Sequence, residues 1–129
     1  MRDSRDLRRS FAISTTLTAV LGAKLAESTA VQAELKDARG RLGFSFVDLS
    51  ADLAGIAFAG YVTAGKLPLK RVAESFTVEA FLPAGDGLAE GLTWDEFFAK
   101  YTSTNDDRFH QEQMALRKRI LASPGYQDL

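Results

Sequence analysis

Residues 45–65 constrain the fold of this chain more than any other stretch. Ser45 stands three residues before Asp48, the spacing of a capping box, in which a hydroxyl takes a backbone N–H of a new helix and the carboxylate reaches back. Phe46, Leu49, Leu53, Ile56 and Tyr61 then make an apolar stripe, and Ala51, Gly55 and Ala59 line up at four-residue steps as a ridge of small side chains. So low a ridge lets another helix approach closely. The segment predicts a central core helix, about 45–65.

The remaining periodicity is also helical. Over residues 5–38, Ile13, Leu17, Val20, Leu21 and Leu25 recur at three- and four-residue steps and share one face of an amphipathic stretch. Gly22 weakens its middle, and Ser28 is placed to cap a second helix carrying Val31 and Leu35. Gly40 and Gly43 bracket a turn. Pro68 suits the first turn of a short helix ending near Phe76. Phe76, Val78, Phe81 and Leu82 form an apolar patch that fits one helical turn or a short extended piece, and residues 83–92 read as a loop. Thr93 and Glu96 make a second capping box, opening a helix through about Tyr101. The last helix spans about 105–122. Asp106, Asp107 and Glu112 sit toward its start and Arg117, Lys118 and Arg119 at its end, the polarity a helix dipole favours. Ser123-Pro124-Gly125 stops it. With no repeat, low-complexity tract or linker, residues 1–129 predict a single all-α domain, a compact bundle of about five helices.

Several function classes drop out on composition. The chain has no cysteine, which removes disulfide frameworks, thiolate zinc sites and cysteine nucleophiles. At 129 residues, 46% of them hydrophobic, it can fold on a core without such staples. Its 16 basic side chains oppose 17 acidic ones with the signs interspersed, so no basic stripe exists for a phosphate backbone and nucleic acid is not an expected partner. The longest uncharged runs, residues 10–23 and 53–65, fall short of the ~18–20 residues that cross a bilayer, and no transmembrane helix is expected. Arg8-Arg9-Ser10-Phe11 outlines a twin-arginine export signal. Asp3 and Asp6 dilute its basic part, Ser14, Thr15, Thr16 and Thr18 its apolar part, and an ordinary amphipathic first helix is the expectation.

Few residues are placed for chemistry. His110 is the sole histidine, on a charged helix with no second histidine or cysteine to share a metal or a nucleophile, and reads as an exposed, neutral surface residue. The glycines carry no phosphate-binding signature. Trp94, Phe97, Phe98, Tyr101 and Phe109 could line a pocket, but aromatics at this spacing read first as core. The carboxylates hold more interest. Glu34 and Asp37 share one helical face, and so do Asp48 and Asp52. A hairpin across Gly40 and Gly43 would bring the four together, as a low-ranking candidate for a divalent cation or for acid–base work. The plainer expectation is that Asp48 caps, while Glu34, Asp37 and Asp52 pair with Lys36, Arg39 or Arg41. On that expectation the chain has no catalytic residue, cofactor or metal, only the structural caps Ser45, Asp48, Thr93 and Glu96.

The run Gly43-Phe44-Ser45-Phe46-Val47-Asp48-Leu49-Ser50-Ala51-Asp52-Leu53-Ala54-Gly55 resembles a signature in a family of uncharacterised bacterial envelope proteins, small lipoproteins among them. In that family a histidine-phenylalanine-x-x-serine motif opens a helix, and a lysine-glutamate-leucine-x-aspartate motif follows. Here the corresponding stretches are Ser10-Phe11-Ala12-Ile13-Ser14 and Ala33-Glu34-Leu35-Lys36-Asp37, so the match covers residues 9–55. Ser10 stands where the family has histidine and Ala33 where it has lysine. Any chemistry those two groups carry is missing here. Glu34, Asp37, Asp48 and Asp52 carry over as a motif of unassigned role. The resemblance implies a helical fold and a cell-envelope setting, and it implies no reaction.

Together these features predict a non-enzymatic helical module that works through protein contacts, as a homo-oligomer or an accessory subunit. The alternative is a small-ligand or cation-binding protein, or an enzyme, built on Glu34, Asp37, Asp48 and Asp52. A third reading puts the first helix against a membrane surface.

Overall fold

The structure, a computed structural model, describes residues 4–40 and 42–127. Among these residues there are six α-helices and no strand: α1 (Ser4–Leu21), α2 (Ala23–Ala38), α3 (Phe46–Thr63), α4 (Leu69–Ser75), α5 (Trp94–Lys100) and α6 (Asp107–Leu121). Two 3-10 turns, Val78–Ala80 and Pro124–Tyr126, complete the regular structure. The all-α class is therefore as expected, with one helix more than anticipated.

The central helix is where the sequence puts it. Phe46, Leu49, Leu53, Ile56, Ala51, Gly55 and Ala59 of α3 are all buried. By length and apolarity α3 could cross a bilayer, with a mean hydropathy of 1.3 over 18 residues, but 61% of it is buried inside this fold as the core helix. Helix α1 lies on the small-residue ridge. A Cβ added to Gly55 would stand 2.3 Å from the carbonyl oxygen of Phe11 and 3.1 Å from Cβ of Ser14. Backbone meets backbone here, and only glycine leaves room for it.

That close approach decides which face of α1 turns inward. The buried residues are Phe11, Ser14 and Thr18, not the apolar set that the periodicity picks out. Small hydroxyl side chains fit the narrow seam and satisfy themselves within it. Thr18 donates to the Ser14 carbonyl at 2.7 Å, and Thr15 donates to the carbonyls of Phe11 and Gly55 at 2.8 and 3.2 Å. The larger Ile13, Val20 and Leu21 point away from α3 and are exposed.

The first two helices separate at Gly22, where φ is 88°, and α2 begins at the next residue. Ser28 is thus an interior residue of α2 and caps nothing, because a glycine in the left-handed region breaks the helix before a serine cap is needed. At the other end of α2, residues 39, 40 and 42–45 lead into α3. Phe44 pairs there with Leu92 in an isolated antiparallel bridge, their amides and carbonyls exchanging hydrogen bonds of 2.6 and 2.9 Å.

The far side of α3 carries α6, which buries Phe109, Leu116 and Ile120. Phe44, Phe46, Phe97, Tyr101 and Phe109 form an aromatic block, the Phe44 and Phe97 rings stacked 4.5 Å apart. The aromatics expected to be core divide accordingly. Phe97, Tyr101 and Phe109 are buried, whereas Trp94 and Phe98 are half-buried at the edge. Trp94 carries the Arg39 guanidinium 4.1 Å above its ring. The polarity expected of α6 is present, with Asp106 as N-cap and Lys118 and Arg119 in the last turn. The patch after α4 resolves into the 3-10 turn Val78–Ala80.

Candidate functional site

The acidic residues of the sequence do converge, at the turn between α2 and α3. Glu34 projects from the inner face of α2 and is 4% exposed, while Asp48, in the first turn of α3, is 5% exposed. Asp52, one helical turn on, is half-buried. Glu34 feels the negative charge of Asp48, Asp37 and Asp52 at once.

Two hydrogen bonds tie this group to its neighbours. The Glu34 carboxylate accepts the Ser45 backbone N–H at Oε1, 3.1 Å away. Asp52 Oδ1 accepts the Ser14 hydroxyl at 2.8 Å, across the seam between α1 and α3. The capping of α3 is therefore different from the expected box. Ser45 does accept the Asp48 N–H at 3.1 Å, but the Ser45 N–H itself goes to Glu34 of the preceding helix. At α5 the reciprocal box is complete, with Glu96 N–H to Thr93 Oγ1 at 3.1 Å and Thr93 N–H to Glu96 Oε1 at 3.3 Å.

Burial makes these carboxyls weak acids. Removal from water, followed by the Asp48 charge, pushes Glu34 up to about 8, against which the Ser45 amide pulls only weakly. Burial also raises Asp52, to about 6, despite the Ser14 hydrogen bond that favours its anion. Arg39, expected as a counter-ion, lies instead over Trp94, because the exposed end of α2 points it at an aromatic face. Arg41 and the Asp3 of the export-like segment lie outside the described residues. Among the described residues, no group of three or more histidine, cysteine or carboxylate side chains is disposed to hold a metal ion. His110 is exposed on α6.

Ser14 is the site residue that sequence reasoning passed over, since periodicity followed the large apolar residues. Its signal was the run of hydroxyls Ser14, Thr15 and Thr18 on one side of α1. The three separated stretches that carry the family resemblance also meet here. Phe11 lies against Gly55, Ser14 on Asp52 and Glu34 on Ser45.

A second feature is a set of exposed aliphatic side chains on α1 and the start of α2. Ile13 is 49% exposed, Val20 74%, Leu21 48% and Leu25 58%. Ile13, Val20 and Leu21 lie on α1 and Leu25 in the first turn of α2, beyond the Gly22 break. No family model matches this chain, and no curated protein or solved structure matches it either.

Proposed function

We propose that this chain is a non-enzymatic, all-α interaction module that pairs with a second copy of itself through the exposed aliphatic side chains of α1 and the start of α2. One observation carries the proposal: four large aliphatic side chains stand exposed there while small hydroxyl residues fill the inner side of α1. Exposed apolar surface of this kind marks a contact site on a folded protein. A second copy is the occupant that the charges favour. The chain has a net charge of −1 with its signs interspersed, so two copies meet without long-range repulsion. The cell-envelope setting implied by the resemblance of residues 43–55 is part of the proposal, and cell fractionation tests it.

Light scattering at micromolar concentration is the direct test of pairing. A dimer is expected, and Val20→Glu combined with Leu25→Glu should return it to monomer with its helical circular dichroism retained. A strict monomer overturns the proposal. If that monomer pellets with anionic vesicles, the face belongs to a lipid surface instead.

A further inference from the structure

We propose that the cavity between the end of α2 and the indole of Trp94 binds a small phosphate monoester, gripped by the side chains of Lys36 and Arg39. The cavity has a volume of about 170 Å3 and is lined by Gln32, Leu35, Lys36, Arg39 and Trp94. The first four are linked by steps of three and four residues, so one side of the α2 end supplies them together. Both charged groups in the lining are cations, Gln32 adds an amide donor, and the buried Leu35 adds an apolar wall.

Arg39 is held ready. Its guanidinium lies 4.1 Å above the Trp94 ring. That contact occupies a face of the planar group and leaves its N–H edges, which lie in the plane, able to chelate two oxygens of a phosphate. A side chain fixed in this way loses less freedom when a ligand arrives. Neither cation is engaged by an anion: among the described residues, Lys36 and Arg39 form no ion pair and no side-chain hydrogen bond. Nor are they needed as caps, because the backbone amides of Arg39, Gly40 and Gly43 already take the carbonyls of Lys36 and Asp37 at 3.2, 3.0 and 2.9 Å. The neighbouring acids act elsewhere. The charge of Asp37 bears on Glu34, and Glu96 accepts the Thr93 amide.

Two cations at one cavity match a dianion, and a phosphate monoester carries a charge of about −1.5 to −2 at neutral pH. The carbonyl end of a helix opposes any anion, so a singly charged carboxylate gains less from the same pair. Leu35 and the indole would meet the organic substituent. That substituent is short, since the cavity is smaller than the ~300 Å3 at which pockets for drug-sized ligands begin. The site lies at the opposite end of α2 from Leu25 and stands whether or not the chain pairs.

Calorimetric titration of the full chain with n-propyl phosphate tests the assignment, with propanoate and inorganic phosphate as comparisons and ionic strength held constant. The expected result is saturable binding with a Kd of ~1 mM or tighter, weaker binding of inorganic phosphate and no saturation by propanoate. Nitrogen-15 shifts should map to Arg39 Nε, the Gln32 side-chain amide and the Trp94 indole. Arg39→Lys keeps the charge but not the fork and should weaken binding ~10-fold. Lys36→Gln should weaken it ~3-fold or more. Both replaced residues are exposed, so helical circular dichroism should be retained. No saturation by n-propyl phosphate up to ~20 mM overturns the proposal, as do equal binding of propanoate or inorganic phosphate and shifts that map elsewhere. An Arg39→Lys variant that binds as tightly as the wild type overturns it too. If either variant does not fold, the wild-type titrations and shift map decide alone.

Discussion

Gly55 and Ser14 show how much of this fold depends on two small residues. With the Phe11 carbonyl only 2.3 Å from where a Cβ would stand, Gly55→Ala must push α1 off the ridge. A cost of about 1–3 kcal/mol is expected, as for other overpacked cores, and urea denaturation measures it. Ser14→Ala removes the donor that Asp52 uses at 2.8 Å. Stability should fall by about 1–3 kcal/mol, the range for a hydrogen bond to a charged group, and the Asp52 carboxyl should titrate at higher pH than in the wild type. A chemical-denaturation midpoint together with a carboxyl titration checks both halves. A wild-type midpoint in the alanine variant would show that the hydroxyl contributes nothing to the seam.

At the scale of the elements, the sequence was legible wherever a cap or a ridge had a local cause. Ser45 and Thr93 open their helices as their chemistry requires, and the small-residue line of α3 receives another helix, whereas Asp106 caps a helix whose start the sequence put one residue earlier. It was not legible in α1. Periodicity identifies an apolar face but cannot say that the partner surface is too narrow for leucine or isoleucine, since that width is set by Gly55, forty residues later. Nor could it find the second arm of the Ser45 cap, because Glu34 belongs to a different helix. The reversed face makes a sharp prediction. In the monomer, at a concentration too low for pairing, Val20→Gln should change stability by no more than about 0.5 kcal/mol, as surface substitutions do, whereas Thr18→Leu should cost about 1–3 kcal/mol by crowding the seam. Thermal melts of the two variants, compared side by side, check it; equal losses would place both residues in similar surroundings.

For the whole molecule, one continuous apolar core includes Phe11, Tyr126 and the aromatic block of Phe44, Phe46, Phe97, Tyr101 and Phe109. Its stability should vary with pH in a sense set by the buried acids. Glu34 has an ordinary value of 4.5 and is raised to about 8 on folding, so its contribution is full below about 4.5 and is lost as pH rises to about 8. Asp52 behaves likewise from 3.8 to about 6. Asp106 acts oppositely, because hydrogen bonds from Arg108 and Thr102 hold its carboxyl well below the usual range, and its contribution is lost only in strong acid. The melting temperature is therefore expected to peak near the ordinary carboxyl range, at about pH 4, and to decline toward alkaline pH. Calorimetry across that range checks it, and a curve that climbs from weakly acidic to alkaline pH contradicts it.

The Arg39–Trp94 stack has a practical corollary. The chain has a single tryptophan, and its indole is covered by the first residue beyond α2, on the turn that leads to Ser45. Any slackening of that turn strips the guanidinium from the ring and wets it. The protein thus carries its own fluorescent gauge at the end of α2, and emission wavelength alone can follow that junction in dilute solution without a label.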